Sequence, residues 1–101
     1  MLSGKQKRYL RGLGNELNPI VMVGKEGFSP NLLRQLDEAL EARELVKGRV
    51  QSNCPLAVEE AAALLAGESG AELVQVIGRN FLLYRRALKD PAIELPYKEK
   101  P

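Results

Sequence analysis

The residues best suited to chemistry lie in one short stretch. Gly24-Lys25-Glu26-Gly27 sets two small residues three apart around a lysine, and Ser29-Pro30 follows directly. The apolar run Ile20-Val21-Met22-Val23 precedes it. This order reads as a strand, a tight glycine loop and a helix start, with Ser29 suited to the N-cap and Pro30 to the first turn. Backbone N–H groups, the positive end of a helix and one ammonium would then meet at a single spot. Such a spot favours anions, phosphate above all. Paired glycines also occur in turns that need only positive φ, so the loop alone leaves a plain turn and an anion site both open. Glu26 places an acid inside the loop, which weakens the attraction unless its side chain points away.

Other chemistries find little support. The chain has no histidine, which removes the usual general base, the usual transition-metal ligand and every Ser–His or Cys–His pair. Cys54 is the only cysteine, so no internal disulfide or CxxC metal site exists, and it reads as a small hydrophobe. Gly27 is followed by Phe28 rather than lysine, so the loop is not a Walker motif, nor is it GxGxxG. A metal site built from acids alone has nothing to support it. The expectation is a non-catalytic protein with no cofactor and no metal.

The charges are unevenly spread. Residues 1–25 hold Lys5, Lys7, Arg8, Arg11 and Lys25 against the single acid Glu16, and residues 78–89 hold Arg79, Arg85, Arg86 and Lys89 with no acid. Between them come Asp37, Glu38, Glu41 and Glu44, then Glu59, Glu60, Glu68 and Glu72. A net charge of only +2 thus conceals a basic face and an acidic one.

Several elements must position these groups. The 101 residues suit one compact domain. No run is long enough to span a bilayer, and Met1-Leu2-Ser3-Gly4 lacks the apolar core of a signal peptide, so a cytoplasmic protein is expected. Ser3 with Gln6 forms a capping-box pattern that starts a helix at Gly4. Leu2, Gln6, Tyr9, Leu10, Leu13 and Leu17 share one side, and Lys5, Lys7, Arg8 and Arg11 fall opposite. Gly12 and Gly14 weaken this helix, and Asn18-Pro19 ends it. Its basic face is either solvated or in contact with nucleic acid, and it lacks the compensating acids at i±4 of a merely soluble face.

Ile20–Val23 then reads as a strand covered on both faces or lying at a sheet centre. In the following helix Leu32, Leu33, Leu36, Ala39 and Leu40 share a face, and its acids turn outward, where they should repel nucleic acid. Leu45–Gln51 alternates, with Val46, Gly48 and Val50 inward and Lys47, Arg49 and Gln51 outward. Ser52 or Asn53 caps a third helix with Pro55 in its first turn. Val58, Ala61, Ala62, Leu64 and Leu65 line its packing face. Glu72–Ile77 and Phe81–Arg85 form a hairpin about Gly78-Arg79-Asn80.

From Ala87 onward Pro91, Pro96 and Pro101 break any regular pattern. Residues 1–86 are therefore expected to form the domain and 87–101 a tail ordered only in part, with Ile93, Leu95 and Tyr97 able to dock. The order α-β-α-β-α-β-β predicts a two-layer α/β domain with a four-stranded mixed sheet. Its two crossovers join parallel neighbours and its hairpin adds an antiparallel strand. Whether the glycine loop and the hairpin turn share one end of the sheet is left open.

Three stretches together resemble a known family. They are the basic first helix ending in Asn18-Pro19, the loop Val23-Gly24-Lys25-Glu26-Gly27-Phe28-Ser29, and the closing Ile77-Gly78-Arg79-Asn80-Phe81-Leu82-Leu83-Tyr84-Arg85. In this order and spacing, over residues 2 to about 86, they look like the CRM domain, in particular the bacterial YhbY family in which it stands alone. The resemblance implies a fold similar to the C-terminal domain of bacterial initiation factor three. It also implies RNA binding, with ribosomal RNA of large-subunit precursors as the partner and a role in ribosome assembly. KH domains clamp an RNA backbone with a comparable GxxG loop. Gly24, Lys25 and Gly27 match the family's loop, Lys5, Lys7, Arg8 and Arg11 its basic surface, and Arg79 and Arg85 its closing motif. Arg85 suits a structural ion pair equally well. A monomer with no membrane contact is expected. The rival reading is a protein-interaction adaptor working through the acidic helices.

Overall fold

A computed structural model describes residues 2–96. Tyr97, expected to dock with the tail, lies outside the described residues. The elements run α1 (Gly4–Gly14), β1 (Val21–Val23), α2 (Pro30–Arg43), β2 (Leu45–Val50), α3 (Val58–Ser69), β3 (Glu72–Ile77) and β4 (Asn80–Tyr84). One mixed sheet has the strand order β1-β2-β4-β3. The expected three helices and four strands are all present, in the expected order.

The connections differ from expectation at one point. β1 and β2 are parallel neighbours across α2, as the crossover rule requires. β2 and β3 also run parallel, but β4 lies between them and pairs antiparallel with both. The hairpin therefore folds back into the sheet instead of extending it. This gives β4, buried at four of its five residues, two partners and cover on both faces.

Helices cover both faces of the sheet, so the domain has three layers rather than two. On one face α2 and α3 pack Leu32, Leu36, Leu40, Ala61, Ala62 and Leu65 against Val21, Val23, Val46, Val50, Phe81 and Leu83. On the other face, Leu2 and Leu10, with the tail residues Ile93 and Leu95, cover Leu45, Val74, Leu82 and Tyr84. Alternation along β2 and β4 supplies both cores at once. The single helix on the second face is short and leaves part of that face bare. β1 is an edge strand, and Ile20 and Met22 are 45% and 46% exposed. Its unbroken apolar run predicts cover on both faces or a place at the sheet centre, and the strand has neither.

Boundaries shift for local reasons. The Ser3–Gln6 capping box forms as expected, through Gln6 N–H on Ser3 Oγ and Ser3 N–H on Gln6 Oε1. The helix stops at Gly14, short of Asn18-Pro19, where Asn15 caps it. Tyr9 and Leu13 remain 42% and 38% exposed, so the buried stripe is narrower than six residues. α3 begins at Val58, later than Ser52 or Asn53 implied, because residues 51–57 form an irregular connection. There Cys54 N–H donates to Gln51 O, and Glu60 reaches back to accept from Ala57 N–H.

Gly48 carries a steric requirement that the alternation conceals. It faces Phe81 across the β2–β4 ladder, and the ring occupies the space a Cβ would need. Gly48→Ala is expected to destabilise the domain by about 1–3 kcal/mol through overpacking. Denaturant unfolding would show this as a lower midpoint with an unchanged slope, whereas an unaltered midpoint would mean that Phe81 repacks without cost.

Candidate nucleic-acid interface

The sheet brings the glycine loop and the hairpin turn to the same end. β1 and β2 both finish there, and the antiparallel β4 begins there. Gln51 N–H donates to Val23 O (2.8 Å), which ties the exit of β2 to the entry of the loop. Val50 N–H donates to Arg79 O (2.8 Å) and Arg79 Nε donates to Val50 O (2.8 Å), which pins the hairpin turn to β2. Lys25 and Arg79 are both exposed on this end. Sequence spacing of more than fifty residues hid a convergence that strand order makes unavoidable.

The loop is a closed turn. Gly27 N–H donates to Gly24 O (2.9 Å), and Gly27 adopts φ +63°, a left-handed value that disfavours any side chain. Pro55 and Leu56 pack behind Gly27, and the Gln51 carboxamide lies where a Cβ on Gly24 would stand. These supporting residues were not singled out from the sequence. Asn53-Cys54-Pro55 was the available signal, because a residue before proline is biased away from helix.

The helix end offers fewer donors than the motif suggested. Ser29 Oγ accepts from Leu32 N–H (3.1 Å) and Ser29 O from Leu33 N–H (3.0 Å), while Pro30 has no N–H. Gly27 N–H is used in the turn. The helix therefore contributes its dipole, and the loop contributes the N–H groups of Lys25 and Glu26 at its exposed tip, which no backbone acceptor engages among the described residues.

The basic first helix extends away from this spot. Leu2 N–H donates to Glu72 Oε1 (3.0 Å) at the start of β3, whereas Gly14 packs on Leu82 nearer the hairpin turn. α1 thus runs along the second face toward the loop end. Arg11, in its last turn, is on the loop side of the helix. Lys5 and Arg8 line a groove at the opposite end with Arg86 and the tail. Lys7 and Arg11 are half-buried beside the packed stripe rather than opposite to it.

Arg85 has a structural place. Its guanidinium forms an ion pair with Asp37 and donates to Asp37 O and Ser69 O, joining β4 to α2 and the end of α3. It lies at the far end of the sheet from Lys25, so the structure does not bring it to the loop. Two acids at the end of α2, Glu41 and Glu44, are likewise committed to contacts within the fold. Glu44, counted as an outward acid, is only 2% exposed and its carboxylate accepts from Ala87, Ala92 and Ile93 N–H groups at 2.7–2.8 Å. Glu41 accepts from Leu88 and Lys89 N–H groups. No group of three or more potential metal ligands occurs among the described residues, and none of their helices is long and apolar enough to cross a membrane.

A four-stranded mixed sheet with a glycine-loop end of this kind defines a small α/β domain of one recognisable class. The CRS1 / YhbY (CRM) domain profile matches residues 2–85, and the chain belongs to that family. It is 46% identical over 96 residues to "Probable RNA-binding protein YqeI" of Bacillus subtilis, covering 95% of this chain and 100% of that one. It is 36% identical over 97 residues to a Haemophilus influenzae protein named "RNA-binding protein", covering 96% of this chain and 97% of that one. The solution structure of the hypothetical protein SAV1595 from Staphylococcus aureus superposes with a TM-score of 0.80 at 45% identity, covering 95% of this chain and all of that one.

Proposed function

We propose that this protein is a non-catalytic RNA-binding protein that holds the phosphate backbone at the Gly24–Gly27 loop. The observation that carries this reading is the convergence of Lys25 and Arg79 on one sheet end, beside a closed glycine turn. Lys25 and Arg79 supply the cations, and the N–H groups of Lys25 and Glu26 at the exposed tip supply short donors. Arg11 continues the positive surface, and Lys7, Arg8 and Lys5 extend it along α1. Membership of the CRM family and relatives named as RNA-binding proteins support RNA as the partner. The internal use of Asp37, Glu41 and Glu44 leaves the acidic-adaptor reading with fewer groups to work through.

Aromatic platforms for single strands are scarce, since Phe81 and Tyr84 are buried. The target is therefore structured RNA, and we assign it to ribosomal RNA in precursors of the large subunit. The protein acts there as a cytoplasmic monomer. Crosslinking in cells followed by sequencing of the attached RNA is the test. Large-subunit precursor sequences should be enriched well above their abundance, and enrichment of unrelated transcripts alone would remove the assembly role.

A further inference from the structure

The part of the sheet that α1 leaves bare carries an ordered set of side chains. Strand register places Met22 beside Arg49, Arg49 beside Asn80 and Asn80 beside Ile77, one residue from each strand in a single row. At about 4.8 Å between strands the row is roughly 14 Å long. Its apolar ends are open, with Ile77 59% exposed. Lys47, Leu82 and Gln75 form the next row.

Between these rows and the end of α1 lies a cleft of about 180 Å³, walled by Asn15, Lys47, Gln75, Ile77 and Asn80 among others. Asn80 Oδ1 is buried and has no hydrogen-bond partner among the described residues. Buried carbonyl oxygens normally have one, so this acceptor suits a donor brought by a ligand. At roughly 10–15 Å³ for each water-sized group, the cleft holds on the order of a dozen heavy atoms, the size of one nucleobase.

We propose that this cleft takes an unpaired nucleobase of an RNA whose phosphates lie on the Gly24–Gly27 loop and Arg79. The inference rests on the RNA-binding reading above and adds a base-selecting site to it. Asn80 directly follows Arg79, so a nucleotide held there by its phosphate has its base within reach of the cleft. A turn of the half-buried Asn80 carboxamide brings Oδ1, covered in the free protein, onto an amino or imino group of the base edge, and Gln75 and Lys47 supply further polar contacts. Ile77 provides an apolar wall, and the exposed Arg49 guanidinium a plane on which a neighbouring base stacks. The adjoining Lys47 and Arg49 match the charge of the strand that carries the base. Bases within a duplex are stacked and paired, so only a loop, bulge or end can fill the site.

The test compares two RNA probes, a stem-loop and a fully paired duplex of the same stem, with 2-aminopurine in the loop. The unaltered protein is expected to prefer the stem-loop about tenfold, the worth of one well-held base. Asn80→Ala and, at a position exposed enough to keep the fold, Ile77→Ser should each bring that ratio toward one and abolish the 2-aminopurine signal. Lys25→Ala should weaken both RNAs together. Equal affinity of the unaltered protein for the two probes, or variants that retain the preference, would overturn the base site while RNA binding stands. Failure to bind either probe would overturn the RNA reading and the base site with it.

Discussion

Reversing two charges at once, Lys25→Glu with Arg79→Glu, is expected to lower affinity for a structured ribosomal RNA fragment by on the order of 100-fold near physiological salt. Both side chains are exposed and lie at one end of the sheet, one on the closed glycine turn and one pinned to β2. Two attractive contacts become two repulsive ones on a polyanion. The fold should survive: the substitution removes the Arg79 Nε bond to Val50 O, but the backbone bond from Val50 N–H to Arg79 O remains. Arg43→Glu, in the last turn of α2 and remote from the loop, is the control and should cost only a few-fold. A binding titration separates the cases: a double variant within threefold of the unaltered protein would mean that the phosphate contacts lie elsewhere.

Glu44→Ala should produce the largest loss of stability, about 3 kcal/mol. Hydrogen bonds to a charged acceptor are each worth roughly 1.5–3 kcal/mol, and the three that Glu44 accepts are partly offset by relief of its desolvation and by rehydration of the tail. Glu44 itself sits at φ +67°, which the substitution does not relieve. Hydrogen exchange should show Ala92 and Ile93 amides losing protection while Val46 in β2 keeps it. Protection retained at Ala92 and Ile93 would show that Ile93 and Leu95 hold the tail without the carboxylate.

The same carboxylate sets a pH dependence. Burial alone pushes the Glu44 pKa up, but the N–H groups of Ile93, Ala87 and Ala92 together outweigh it and hold the group below the usual 4.5. The N–H groups of Leu88 and Lys89 do the same for Glu41. A depressed carboxylate adds stability that is complete above its unfolded value and lost as pH falls through the folded one. Tail docking should therefore be constant above about pH 5 and weaken below 4.5.

Local signals carried most of the fold. Capping at Ser3 and Ser29, the alternation in β2 and the hairpin spacing are all short-range features, and each appears in the structure. Strand order depends on long-range pairing, so the insertion of β4 beside β2 was not legible, nor was the meeting of Arg79 with the glycine loop that follows from it. The edge position of β1 is hidden in the sequence because four apolar residues in a row look alike whether one face or both are covered. Glu44 gave no sign of burial, since an acid at the end of an amphipathic helix ordinarily faces water. Its partners are backbone groups of a proline-broken tail, which no side-chain pattern reveals.

On the function proposed above, Lys25 and Arg79 each neutralise a phosphate. The salt dependence of binding to one structured ribosomal RNA fragment measures this directly, for the unaltered protein and for Lys25→Ala with Arg79→Ala. The slope of log affinity against log salt should fall in magnitude by about two in the double variant, close to one for each lost cation. An unchanged slope, whatever the loss in affinity, would mean that neither side chain neutralises a phosphate.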